Sequence, residues 1–300
     1  MKRPIFFVSF FVVLGIALAA LYCTQIRNKR TGVSANAVLE MAAAAQRDLT
    51  RAPMHLTRLS DAEEISIGKK LAAQYDSHRQ NLSPEEQEFA MYVERVGNVL
   101  ALHAQRQQLP FSFHVIPDRN MINAFSLPGG PVFVGEGLLD QMTTEDELAN
   151  LLAHEIEHID HYHCVERVQI EAQLKHLDLD ALGAFLQFPM QLWQAGYEKD
   201  EELEADREGM FLAARAGYSP YGAIQLFERF AKLNREYVIH ADSPEEELSD
   251  LAMESLSGYF RSHPPSSERI AQAQRIIGEQ HWEDRREQKP FRPDRDQTGR

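Results

Sequence analysis

The chain has 300 residues, 44% hydrophobic and 25% charged, enough for the core of one catalytic domain with short appendages and too apolar for a disordered protein. Its 45 acidic and 31 basic residues give a net charge of -14, which repels phosphate backbones and, without a basic stripe, argues against nucleic acid as a partner. Two cysteines, Cys23 and Cys164, supply neither a disulfide framework nor a Cys-type zinc site.

After Met1-Lys2-Arg3 the chain runs apolar and uncharged from Pro4 to Cys23, long enough to cross a bilayer as a helix. Residues 1–30 are therefore expected to form an N-terminal transmembrane signal anchor, or a signal peptide cut near Ala17-Leu18-Ala19. Arg27, Lys29 and Arg30 favour the uncleaved form, and basic residues on both flanks leave orientation open. Residues 31–59, polar and Ala-rich, read as a linker.

The folded body is expected over residues 60–278. Ser60-Asp61-Ala62-Glu63 and Ser83-Pro84-Glu85-Glu86 are capping boxes that open two helices, the second carrying Phe89, Val93, Val96 and Leu100 toward a core. Three β-prone runs follow, 111–116, 121–125 and 131–135, with Leu127-Pro128-Gly129-Gly130 as turn chemistry between the last two. They predict a small antiparallel sheet, whose strands around Asn123 to Phe125 and Val132 to Val134 are expected to include an edge that pairs with an extended substrate.

Thr144-Glu145-Asp146-Glu147 opens a further helix with an apolar stripe of Leu148, Leu151, Leu152 and Ile159. Helical stretches are expected at about 165–195 and at 200–216, the latter closed by Gly217, and after Ser219-Pro220, Ser243-Pro244 and Pro265-Ser266. Residues 279–300, charged, Pro-interrupted and without apolar period, read as a disordered tail. The fold class is α+β, mainly helical with one small sheet.

Four of the twelve histidines, His154, His158, His161 and His163, fall within ten residues. His154-Glu155-Ile156-Glu157-His158 is H-E-x-x-H, and residues four apart on a helix share a face, so the two imidazoles can bind one ion. Zinc suits two neutral imidazoles, one ion per chain. Glu155, one residue beyond the first histidine, is placed to take a proton from a metal-activated water and pass it to a leaving amine.

The third ligand has several sources. Gly at 161 and His at 164 would continue a metzincin motif, but His161 and Cys164 stand there. His161 lies one further turn along, yet three ligands from one straight helix would be spread over too long a span. Glu202, from a second helix, completes a His/His/Glu set, with Asp206 one turn on to accept the other ring N–H of a ligating histidine. The competing explanation is an acidic helix N-terminus.

Several blocks carry a resemblance: Ile122-Asn123-Ala124-Phe125-Ser126-Leu127-Pro128-Gly129-Gly130, then Gly137-Leu138-Leu139, then Glu147-Leu148-Ala149 before the histidine motif. Later come Gly196-Tyr197-Glu198, Glu202-x-x-Ala205-Asp206-x-x-Gly209 and Ser262-His263-Pro264-Pro265-x-x-x-Arg269-Ile270. In this order, over roughly residues 60–278, they resemble the gluzincin metallopeptidases that include HtpX, BepA, LoiP and the CAAX prenyl proteases. The resemblance implies a zincin-type domain with His154, His158 and Glu202 as metal ligands, Glu155 as base, Asp206 as supporting carboxylate and internal peptide bonds as substrate.

His263 stays open between two readings: an extra ligand or oxyanion donor beside the site, or a rigid His-Pro-Pro turn that starts a helix. With the apolar N-terminus, the resemblance implies a protease of the bacterial cell envelope, anchored in the inner membrane through residues 4–23 and facing the periplasm, or exported there. Its substrates would be misfolded envelope proteins. The alternative is a chaperone-like scaffold that retains the metal site and binds unfolded segments.

Overall fold

The computed structural model describes residues 58–75, 82–174, 199–239 and 267–291. The apolar segment 4–23, the linker as far as residue 57, the end of the helical stretch expected to about 195, His263 and the helix expected after Ser243-Pro244 lie outside them. Among the described residues no helix is long and apolar enough to cross a membrane.

Helix α1 (Asp61–Ala72) and helix α2 (Pro84–Ala101) both start on the expected capping boxes: Ser60 and Ser83 accept backbone N–H bonds from Glu63 and Glu86, whose carboxylates bond back. Helix α2 buries Phe89, Val93, Val96 and Leu100, spaced at three to four residues, on a single face. Strands β1 (Ser112–Ile116), β2 (Ala124–Ser126) and β3 (Pro131–Gly135) follow. Next come the short helix α3 (Glu136–Leu139), then α4 (Glu145–Asp160), α5 (His163–Leu174), α6 (Lys199–Arg215), α7 (Tyr221–Ile239) and α8 (Ser267–Glu279).

The sheet is mixed rather than antiparallel. Its order is β1-β3-β2, with β1 parallel and β2 antiparallel to β3. The Leu127–Gly130 turn makes β2 and β3 a hairpin, and the loop over residues 117–123 makes a second reversal, so β1 and β3 run the same way. Gly129, at φ +76°, is required there: a Cβ would meet the Ile65 backbone at 2.6 Å. Glu64 of α1 accepts the Gly129 N–H at 2.9 Å, pinning the hairpin to the first helix. Strand β3 is therefore central, and β2 forms one edge of this sheet.

Helix α4 is the axis of the domain. Its cap is Thr144–Glu147, as expected, and each residue from Asp146 to Asp160 is buried. It packs against α2, α6, α7 and β2, with Leu148, Leu151, Leu152, Ile156 and Ile159 in the core. A helix apolar on one side and rich in carboxylates and imidazoles on the other is costly to enclose unless those groups are paired, and the partners come from β2, α6, α7 and the loops at Gln105–Arg106, Ser219 and Lys289.

The stretch expected as a tail from residue 279 departs from that expectation as far as Phe291. Lys289 and Pro290 run beside the start of α4, where Glu145 N–H donates to the Lys289 carbonyl at 2.9 Å. Trp282 meets Phe211 edge-on, and Phe291 stands edge-on to Phe89 and Tyr92 at 6.0 and 5.8 Å between centroids. Two aromatic anchors hold a charged segment with no period of its own.

Candidate metal centre

His154 and His158 project from one face of α4, as their spacing predicts, and Glu202 reaches them from the first turn of α6. The His154 and His158 Nε2 atoms are 3.0 Å apart, and Glu202 Oε1 lies 3.3 Å from His158 Nε2 while Oε2 lies 3.7 Å from His154 Nε2. All three residues are buried. Close approach of the two helices depends on Gly209, where a Cβ would come within 3.0 Å of the His154 backbone nitrogen.

These separations fit a tetrahedral ion. Two imidazole nitrogens and a carboxylate oxygen bonded at zinc-like lengths stand about 3.3 Å from one another. Each Nδ1 is engaged elsewhere: His154 Nδ1 is 3.0 Å from Asp206 Oδ1, and His158 Nδ1 is 2.9 Å from His163 Nδ1. With the protons on Nδ1, both Nε2 lone pairs face a common centre, an arrangement that repels unless a cation lies between them.

At His158 the electrostatics agree; at His154, where burial alone would lower the imidazole, the Glu202 and Asp206 carboxylates outweigh it and raise it. Burial, together with the neighbouring His154 and His163 rings, pushes the His158 imidazole well below its ordinary range and keeps it in the neutral, ligating form. Burial would raise the Asp206 carboxyl, but Arg269 and the His154 hydrogen bond outweigh it and hold that carboxyl low and ionised. Arg269 of α8 donates two bonds to Asp206, at 2.6 and 2.5 Å, and its Nη1 is 3.3 Å from Glu202 Oε2. Its guanidinium also lies over the Phe227 ring.

Glu155, wholly buried, turns toward the sheet, where Ser126 Oγ of β2 donates to its Oε2 at 3.0 Å. The Cys164 sulfur stands 3.3 Å from the same hydroxyl. His161, weighed as a third ligand, is turned to Glu157 and Glu204 at 3.3 and 3.7 Å. Sequence reasoning gave no role to Ser126, His163 or Arg269, although Ser126 and Arg269 fall inside motif blocks; His163 stands five residues beyond His158, off the helical period.

A family model described as Peptidase family M48 matches residues 87–277, well over half of the chain. The chain belongs to peptidase family M48. Among its relatives, the beta-barrel assembly-enhancing protease of Yersinia pestis is 27% identical over 213 residues, 62% of this chain and 43% of that one. The mitochondrial metalloendopeptidase OMA1 of Schizosaccharomyces pombe is 29% identical over 196 residues, 63% of this chain and 53% of the relative. The metalloprotease LoiP of Escherichia coli is 25% identical over 222 residues, 70% of this chain and 79% of LoiP. The chain spans between about a third and a half of the length of the first curated relatives it matches. The match takes in α4, α6 and α8, so the M48 region contains His154, His158, Glu202, Asp206 and Arg269.

Proposed function

We propose that this M48 chain is a zinc-dependent endopeptidase in which His154, His158 and Glu202 hold one zinc ion and Glu155 is the general base. The observation that carries this reading is the convergence of three buried donor atoms within 4.8 Å of one another, from two helices that the H-E-x-x-H spacing and Gly209 bring together. Family membership supports peptide bonds as the target.

Bound zinc supplies Lewis-acid polarisation of the scissile carbonyl and acidifies a water molecule. The chain's own residues do the rest. Asp206, fixed by Arg269, holds the His154 ring with its Nε2 free to ligate. Glu155 accepts the proton of the attacking water on one carboxylate oxygen and delivers it to the leaving amine, while the Ser126 hydroxyl holds the other oxygen.

The substrates of this reading are misfolded proteins of the bacterial cell envelope, met by a domain tethered in the inner membrane through residues 4–23 or exported to the periplasm. The apolar run after Met1-Lys2-Arg3 and the similarity to the assembly-enhancing protease and LoiP support it. His263 has either a role at this site, as an extra ligand or oxyanion donor, or none beyond a rigid His-Pro-Pro turn that starts a helix. Glu155→Gln tests the assignment: the variant keeps its zinc and loses casein cleavage. A variant that still cleaves at the wild-type rate overturns the role of Glu155, and a wild type that holds zinc without cleaving points to a scaffold.

A further inference from the structure

Helix α4 ends at Asp160 and α5 begins three residues later at His163. Between them Tyr162 holds φ +64°, the left-handed region that bulky residues avoid. Its ring lies between two guanidinium groups, with Arg58 at 3.7 Å and Arg106 at 4.0 Å from the centroid. Arg106 is in turn fixed by Asp61, Glu64 and the Ile159 carbonyl. The surroundings therefore over-determine an unfavourable backbone, the condition under which strain persists at functional sites.

The kink brings His163 back to His158. On a continued helix a residue five positions on lies about 140° around the axis and about 7.5 Å along it, out of reach of the first ring. Here the two Nδ1 atoms are 2.9 Å apart, both rings are buried, and the His163 Nε2 stands 3.4 Å from Glu204 Oε2. The proton positions follow from that geometry. A His158 ring that presents its Nε2 lone pair to an ion carries its proton on Nδ1, so His163 Nδ1 accepts. His163 then carries its own proton on Nε2, facing the Glu204 carboxylate.

We infer that His163 is the positioning residue of His158, holding that ring in its ligating tautomer and plane, with Glu204 fixing the direction of the hydrogen-bond chain. The inference rests on the reading of His154, His158 and Glu202 as a metal centre. It makes the two imidazoles unequal: His154 is held directly by a carboxylate, Asp206, and His158 through one intervening ring. Glu202, Glu204 and Asp206 all belong to α6, so a single helix provides the third ligand and the far end of both supports.

The test is metal binding by the full chain in detergent, using zinc in competition with a chelator and Co(II) as a spectroscopic probe. His163→Phe keeps the ring and removes its nitrogens; zinc affinity is expected to fall about 10–100-fold, with altered Co(II) d–d bands. His163→Gln offers a carbonyl oxygen to the His158 N–H and recovers part of the loss. Glu204→Gln, at a half-exposed side chain, weakens binding less. Wild-type affinity and an unchanged cobalt spectrum in His163→Phe overturn this inference alone, whereas a wild-type chain that binds no zinc overturns the metal-centre reading with it. Should His163→Phe fail to fold, Glu204→Gln decides: weaker zinc binding supports the chain of hydrogen bonds, and unchanged binding contradicts it.

Discussion

Ser126 and Glu155 meet across the boundary between sheet and helix, the serine hydroxyl 3.0 Å from Glu155 Oε2 with both side chains wholly buried. A hydrogen bond to a charged group contributes about 1.5–3 kcal/mol. Ser126→Ala leaves the carboxylate held at one oxygen fewer, and kcat is expected to fall by roughly tenfold while KM and zinc content stay near wild type. Steady-state cleavage of a fluorogenic peptide checks this; an unchanged kcat would show that the serine only fills space.

Glu64 lies at the centre of a second buried network, pairing with Arg106 and accepting the Gly129 N–H. Removing Glu64 leaves the buried Arg106 to the half-exposed Asp61 and takes the acceptor from the buried Gly129 N–H. Glu64→Ala is expected to lose about 3–5 kcal/mol in urea unfolding. A loss under about 1 kcal/mol would mean that Arg106 finds other partners readily.

How much of this was legible in the sequence depends on how local the physics is. The caps at Ser60, Ser83 and Thr144 were readable because a side chain and a backbone N–H three residues apart decide them. His154 and His158 share a face by helical period alone. The pairing of β1 with β3 was not readable, since β2 lies between them in the chain and direction is set by how two loops reverse. The segment 280–291 has no apolar period, and what anchors it is two separate aromatics, Trp282 and Phe291, and backbone bonds to the start of α4. His163 was hidden for a similar reason: its meeting with His158 needs the left-handed Tyr162, which no pattern of residue types announces.

Those anchors predict a stability effect at the end of the chain. Phe291 is only partly buried, so Phe291→Ala should lose about 2 kcal/mol, less than the 3–5 typical of a fully buried Phe. Thermal unfolding of the variant checks this, and an unchanged midpoint would show that the strap does not hold.

Acid sensitivity follows from Asp61. Hydrogen bonds from Gln108 and Arg106 hold its carboxyl below the ordinary 3.8 of an aspartate. Because the folded value is depressed, its contribution is fully present above the unfolded value and disappears as the pH falls through the folded one. The stability advantage of wild type over Asp61→Asn should therefore be level above about pH 5 and shrink below about pH 4. An advantage that grows on acidification would contradict the assignment of that carboxyl as ionised and bonded.

The central claim is that a single ion is shared between α4 and α6, and zinc stoichiometry with affinity in wild type and Glu202→Ala tests it most directly. The account predicts one tightly held zinc per wild-type chain, and in Glu202→Ala a loss of tight binding together with casein cleavage. Zinc held by Glu202→Ala with wild-type affinity would show that the carboxylate of α6 is not a ligand, and the hydrolytic centre described above would not exist.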